Sequence, residues 1–475
     1  MYIVTVGMSP GLVRDLWNRV QAKGHYRISH IAHPSYDQKS WAAVAPVGDT
    51  LFFRNDLREE LPAPDREFLA SLEGTGVPTI HNMILSDRFV SKLPYEQALA
   101  YATFLAKKLS EFYGFLKPTA VIGGFDSLHG SLGFAVAKRA GIPWFVLNFS
   151  SLPSGQVALC SDLSPASRVL LEPRRAEKMR STADDLLKEF ESRKMQAAAY
   201  IPPRVLSVDY IFGRIPSQLR ILATIARRRK LSYALRYSEH PAAYSISGLF
   251  RESIRLRKNV LRLPKNDLVS VPPDGPFAFF GMHMQPESSI DVFAHFYSNQ
   301  AHVIELIARS LPPSHILLVK LHKSDVPNYS RAILGRIARL PGVRLVSPYA
   351  DTIEFIKRSA LVVSIQGTIG LEGALLGKPV IMLGDSPTKI FPSVSTIGRD
   401  PDLPALVRQK IREKLPTRAA IVDAFATHLS AFYPASRNDW TIPPTDHEID
   451  GYVHLIALLE GYLQSRENAL KQASQ

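Results

Sequence analysis

Apolar and polar positions along this chain switch between two periods, and the switches mark its elements. Short apolar runs rich in β-branched residues predict strands at Tyr2 to Gly7, Ala120 to Gly124, Trp144 to Leu147 and Phe277 to Phe280. Further runs predict strands at Ile316 to Leu321, Val343 to Leu345, Leu361 to Ile365 and Val380 to Leu383. Between them apolar residues recur at helical spacing. Helices are expected from Ser9 or Pro10 to about Ala22, from Tyr95 to Phe115, and from Leu132 to Ala140. In the second half they are expected from about Asn299 to Ser310, Ser330 to Leu340 and Thr352 to Lys357. The segment from His25 to Val77 mixes both periods and predicts no clear element. Strand, polar tip, helix, small-residue turn, strand is the cadence of a doubly wound α/β domain. Here it runs twice.

The two runs are separated. From Pro165 to Leu263 the pattern is mainly helical, with breaks at Pro202, Pro203, Pro216 and Pro241, and four prolines between Pro264 and Pro276 predict a linker. The expected organisation is an α/β chain of two Rossmann-like parallel-sheet domains with a helical insertion and a helical C-terminus. The first domain spans 1–263 and includes a helical insertion at about 165–263; the linker is 264–276. The second domain spans 277–400, and 401–475 is a helical C-terminal segment, clearest from Ile449 to Leu470. A chain of 475 residues exceeds one ordinary core, which agrees with two domains.

Charge adds one feature to this picture. The formal net charge is +14, and the stretch from Gly213 to Lys265 holds thirteen Lys or Arg against Glu239 and Glu252 alone. Such a concentration suits nucleic acid or an anionic membrane surface. No apolar run approaches the roughly 20 residues that span a bilayer, and the apolar start is too short for a signal peptide. A single cysteine, Cys160, excludes an intramolecular disulfide and a cysteine metal cluster. A cytoplasmic location is expected.

Ligands of doubly wound sheets bind beyond the carboxyl ends of the strands, in the cleft expected between two such domains. The strongest candidate is the βαβ unit from Ser359 to Gly384, where Gln366, Gly367 and Thr368 form a small-residue turn into a helix. Free N–H groups and the helix dipole favour a phosphate there. Glu372, four residues after Thr368, lies one helical turn further along the same face, where a carboxylate can hold ribose hydroxyls, unless the turn is an ordinary βα turn with Glu372 solvated. Gln285 and Glu287 follow the strand Phe277 to Phe280, an amide and a carboxylate suited to a base or a sugar hydroxyl, or, without companions, part of a solvated loop. Lys320 and His322 share a face at the end of Ile316 to Leu321 and suit a phosphate, or, taken as isolated residues, are surface charges. In the first domain Asp126, with Ser127, His129 and Ser131, offers a general base or an acid–base pair, or simply a helix N-cap. Ser86-Asp87-Arg88 ends another apolar run and suggests a local ion pair. No P-loop lysine motif, GxSxG elbow or helical HExxH is present, and nothing visible requires a metal.

These residues resemble a known family. Gln285-Pro286-Glu287, Val319 to Lys323, and Gln366-Gly367-Thr368 through Glu372 to Pro379 are similar to motifs of bacterial capsule and surface polysaccharide glycosyltransferases of the two-Rossmann-domain GT-B type. The Kdo transferases of capsule lipid anchors belong to that group. The resemblance covers about Ser86 to Cys160 and Phe277 to Pro392. It implies a nucleotide sugar, CMP- or UDP-linked, as donor substrate, no separate cofactor, and a saccharide or lipid-linked acceptor. His322, Gly367, Thr368 and Glu372 would bind phosphate and ribose, joined by Lys320 and Gln366. Gln285 and Glu287 would line the nucleotide or sugar side, with Glu287 entering the catalytic set beside Asp126 and His129. Two departures stand out. Lys323 replaces the family's proline after the histidine, and Asn148 stands where several relatives carry an acid. The second departure weakens a double displacement and leaves retention or inversion open.

An acceptor on a lipid gives the basic stretch a role. Arg227 to Lys230 follows Leu219, Leu222 and Ile225, and Phe250, Ile254 and Leu261 interleave with Arg251, Arg255, Arg257 and Lys258. Each basic residue near an anionic leaflet contributes about 1 kcal/mol, so peripheral docking on the inner membrane face is one reading, the other being that the apolar faces are core and the charges solvated; nucleic acid is not expected. Two other readings use the same fold: a nucleotide-sugar epimerase, and a non-catalytic assembly factor docked on the membrane.

Overall fold

The structure, a computed structural model, describes residues 1–57, 60–124, 127–195, 258–259, 268–285, 287–397, 402–435 and 443–473. The basic stretch from Gly213 to Lys265, apart from Lys258 and Asn259, lies outside the described residues, as do Asp126 and Pro286. The chain divides into two compact units. The first holds Met1–Arg175 and the chain from Ser430 onward; the second runs from Ala176 to Leu429 among the described residues.

The first unit is built on a six-stranded sheet of β1 (Tyr2–Met8), β2 (Arg27–Ala32), β3 (Thr50–Leu51), β4 (Ala120–Gly123), β5 (Trp144–Phe149) and β6 (Val157–Cys160), in the order β3-β2-β1-β4-β5-β6. All pairs are parallel except β5 with β6. One face packs against the helices Ile80–Ser86, Tyr95–Leu116 and Leu128–Arg139, through Leu99, Leu105, Leu109, Leu132 and Trp144. Ala98, Ala102, Leu105 and Leu109, the face that the helical period predicted, are buried, and from Ala98 to Ala106 the helix is buried all round. The other face is closed by the helical stretch after β1 and by the last helix, Asp446–Ala473, whose Ile449, Tyr452, Leu455, Ile456 and Leu459 are buried against Leu16, Trp17 and Val20.

The second unit repeats the plan with every pair parallel. Its strands are β7 (Phe277–Gly281), β8 (Ile316–Lys320), β9 (Val343–Val346), β10 (Leu361–Ser364), β11 (Val380–Met382) and β12 (Val394–Thr396), in the order β12-β11-β10-β7-β8-β9. The central strands are buried on both faces, which is why they are written as unbroken apolar runs. The first helix of the unit's C-terminal pair, Leu403–Arg412, packs into this core through Leu403 and Val407. The second, Arg418–Ser430, is tied to Arg175–Glu191 by Arg418, which bonds Glu191 at 2.7 Å and Asp184 at 2.9 Å.

Both sheets follow one strand order, the third, second and first strands followed by the fourth, fifth and sixth. That is the doubly wound Rossmann topology, and the expected α/β fold of two Rossmann-like domains is the fold found. Such a sheet has one topological switch point, where connections leave in opposite directions and open a crevice at the strands' carboxyl ends. It lies between β1 and β4 in the first unit and between β10 and β7 in the second.

Candidate functional site

In the second unit the switch point brings together the loop after β7, the turn after β10 and, one strand over, the end of β8. The helix Thr368–Leu375 starts directly after β10. Its N-cap is Gly367, and no side chain caps it. The turn is held by the protein's own groups. The Gly367 N–H donates to Ser364 Oγ at 3.0 Å, and the Gln366 N–H donates to Nε2 of His283 at 3.2 Å. The N–H groups that helix geometry leaves over for an anion are therefore those of Thr368 and Ile369. Thr368 is exposed at this point.

The helix lies close on the sheet because β7 ends in glycine. A Cβ on Gly281 would fall 2.0 Å from Ile369 Cδ1, and one on Gly370 would fall 2.3 Å from the Met382 sulfur. Close packing buries Glu372, 9% exposed, with Oε2 lacking a hydrogen-bond partner. Burial pushes its carboxyl up to about 7; Lys320 works against that rise and Asp351 adds to it. Lys320 is buried too, and its Nζ donates to the Pro348 carbonyl at 3.1 Å. Burial, with Lys323 adding, pulls its ammonium down to about 8, against the attraction of Glu372 and Asp351. The two opposite charges thus feel each other, and burial outweighs their attraction in both.

His322 follows on the same rim. Its backbone N–H donates to the Tyr329 hydroxyl at 3.0 Å, and its Nδ1 is buried without a partner. Burial first, then Lys320 and Lys323, lowers its pKa. Lys320 and His322 thus lie at the carboxyl end of β8, and Gln366, Gly367, Thr368 and Glu372 in the turn and helix that follow β10. Gln285 sits differently. Its Nε2 donates to Asp291 Oδ1 at 3.1 Å and to the Ser298 carbonyl at 2.9 Å, and its Oε1 accepts from Gln300 at 2.9 Å. Both ends of the amide support the loop. The Glu287 N–H donates to Asp291 Oδ2 at 2.9 Å, and its charge, with that of Asp291, adds to the burial that pushes Asp325 up to about 6.

Three further residues join this site without having been assigned a role from the sequence. His283, buried beside Gly367, meets Gln366 across 83 residues of chain. Ser364 caps the turn from the last position of β10. Asp351 is the N-cap of Thr352–Arg358, accepting from the Ile353 N–H at 3.0 Å, and it is also paired with Arg193.

In the first unit the corresponding crevice holds His129, which is 2% exposed. Its Nε2 is 3.3 Å from Ser127 Oγ, and its ring meets that of His33 edge-on at 5.2 Å. Gly7, at φ +78, leaves room for it: a Cβ there would lie 3.1 Å from His129 Nε2. Asp126 lies outside the described residues, and the N-cap of Leu128–Arg139 is Ser127, whose side chain makes no cap bond. Among the described residues, Asp87 serves this helix start, accepting from the Leu128 N–H at 2.8 Å. Asn148 accepts from Arg168 Nε at 3.2 Å and Nη2 at 3.1 Å. No helix among the described residues is long and apolar enough to cross a membrane.

Two Rossmann-like units in one chain, one with an open helix N-terminus at its switch point, define a protein of the two-domain Rossmann class. No family model matches the chain. A stretch of 74 residues, 16% of the chain, is 36% identical to Protein FixF of Sinorhizobium fredii, and the match spans 17% of that protein's length. Among solved structures, the Thermosulfurimonas dismutans KpsC β-Kdo 2,4 transferase is similar at 14% identity and a TM-score of 0.35, over 65% of this chain and 79% of that one. Staphylococcus aureus MnaA, solved with UDP, is similar at 10% identity and a TM-score of 0.29, over 90% and 93%. The UDP-GlcNAc 2-epimerase of Neisseria meningitidis, bound to UDP-GlcNAc, gives 12% and 0.27, over 90% and 98%. Likenesses at this level carry no reaction or substrate with them.

Proposed function

We propose that the chain is a glycosyltransferase that takes a sugar from a nucleotide-sugar donor and passes it to a saccharide or lipid-linked acceptor in surface polysaccharide synthesis. The observation that carries this reading is the uncapped helix start at the second unit's switch point, with a buried carboxylate one turn along and two basic side chains on the adjoining strand end. The donor's phosphates are assigned to the Thr368 and Ile369 N–H groups and to His322. The ribose hydroxyls are assigned to Glu372, where a hydroxyl donating to the carboxylate satisfies a group that the protein leaves under-bonded. Lys320 supplies positive charge behind it. Gln285 acts through the loop that it braces. Over the whole transfer an acceptor hydroxyl oxygen gains the bond to the anomeric carbon and gives up its proton to a base or to water; the bonding pair of the broken anomeric C–O bond leaves with the nucleotide phosphate, and positive charge at this rim stabilises that departure.

A thermal-shift screen against CMP-, UDP- and GDP-sugars tests the donor assignment, because a ligand of the folded site raises the melting temperature. One nucleotide family should stand out, and the shift should vanish in Glu372→Ala. Flat curves for all three would sink the reading. Incubation of the preferred donor with and without acceptor extracts then separates transfer from epimerisation. Interconversion of the donor sugar without acceptor points to the epimerase.

A further inference from the structure

His283 lies in the loop after β7, two residues before Gln285, and its buried imidazole reaches the Gln366–Gly367 turn. The loop that carries it is clamped. Its N–H donates to Gln300 Oε1 at 2.8 Å, its carbonyl accepts from Gln300 Nε2 at 3.0 Å, and the Met282 N–H donates to the Lys320 carbonyl at 2.9 Å. The backbone is thereby fixed, the imidazole is buried, and its Nε2 faces the Gln366–Gly367 turn. A backbone N–H can only donate, so at 3.2 Å from the Gln366 nitrogen Nε2 must be the unprotonated, accepting nitrogen of a neutral ring, and the proton sits on Nδ1. Burial, aided by His322, lowers its pKa to about 3, which agrees with a neutral ring.

The same contact sets the residue at 367. Gly367 has φ −84, an ordinary extended backbone that any residue adopts, so its conformation does not call for glycine. A Cβ there would instead lie 2.8 Å from His283 Nε2. The glycine is required by the histidine and not by the turn.

We infer that His283 is a positioning residue of the donor site. Its neutral Nδ1–H tautomer pins the Gln366 N–H, holds the β10 turn in the shape that leaves Thr368 and Ile369 free for an anion, and makes glycine obligatory at 367. The inference rests on the reading of this turn as the donor's anion site, but its core, the coupling of His283 to Gly367, can be measured without a donor.

The test uses the full chain with UDP and CMP as probes, binding being read by titration calorimetry. Gly367→Ala and His283→Phe should each weaken the preferred nucleotide about tenfold, equivalent to about 1.4 kcal/mol. His283→Gln, which keeps an acceptor near the Nε2 position, should stay within about threefold of the parent. With His283→Ala the ring is gone, so adding Gly367→Ala should cost nothing further, in binding or in melting temperature. Selective 15N labelling of histidine should show His283 unprotonated at Nε2 and protonated at Nδ1 at about pH 7. A protonated Nε2, or costs of Gly367→Ala and His283→Ala that simply multiply, would overturn the inference. If neither nucleotide binds the parent, the donor reading fails, and the tautomer and the melting-temperature coupling still decide the role of His283.

Discussion

The carboxylate of Asp87 reaches 41 residues along the chain to cap Leu128: Oδ2 accepts the Leu128 N–H at 2.8 Å, while Oδ1 accepts those of Phe89 and Val90, each at 2.8 Å. Three backbone donors thus converge on one buried side chain at the rim of the first unit's crevice. Asp87→Ala leaves them all unsatisfied and should cost about 2–4 kcal/mol, and Asp87→Asn about half as much. Urea unfolding followed by circular dichroism measures both. Equal stability of Asp87→Ala and the parent would show that water replaces the carboxylate at no cost.

Glu372 sets stability against function. Its folded carboxyl titrates near 7 in place of the ordinary 4.5. The stability gained from the protonated form is complete below about pH 4.5 and is lost as pH rises through 7. Glu372→Gln should therefore change little at about pH 4.5 and stabilise the chain by about 1–3 kcal/mol at pH 8, while weakening nucleotide binding. A gain equal at both pH values would remove the ionisation argument.

His30 makes the opposite prediction for acid. Its Nδ1 is 2.7 Å from Thr5 Oγ1 in the buried sheet, and burial lowers its pKa from 6.5 to about 4. Its contribution is complete above about pH 6.5 and is lost as pH falls through 4. His30→Gln should flatten the fall of unfolding free energy over that window. Denaturant midpoints at three pH values are enough to see it, and an unchanged slope would exclude His30 as the source.

The last helix is seated on a glycine. A Cβ on Gly451 would fall 1.8 Å from the Pro434 carbonyl oxygen, a backbone atom that cannot rotate away. Gly451→Ala should lift the helix Asp446–Ala473 and cost about 1–3 kcal/mol or more. The surface pairs Arg19–Asp446 and Lys23–Asp450 contribute little by comparison. Limited proteolysis should cut the variant near the helix before the parent is touched.

Much of the second unit was legible in advance because a parallel sheet covered on both faces writes each strand as an apolar run. The first unit was less legible between His25 and Val77. There β2 carries Ser29 and His30 inward, which is tolerable only because Tyr2 and Thr5 on the neighbouring strand bond them. The strand β3 has two residues, too short for any period to register. Leu128–Arg139 begins four residues before the expected Leu132, and its first N–H is bonded by Asp87, which lies 41 residues away along the chain.

By themselves the residues determined two doubly wound domains and a glycine turn with a carboxylate one helical turn beyond it, because periodicity and i-to-i+4 spacing are local properties of the chain. Only tertiary structure decided the strand order, and with it the switch point that makes the ends of β7, β8 and β10 neighbours. It also decided which polar groups remain for a ligand. The N–H groups of Gln366 and Gly367, which the local pattern offered to a phosphate, are already taken by His283 and Ser364. A hydrogen bond spent inside the protein depends on which side chain packing brings within 3.2 Å, and neighbours along the chain do not record that.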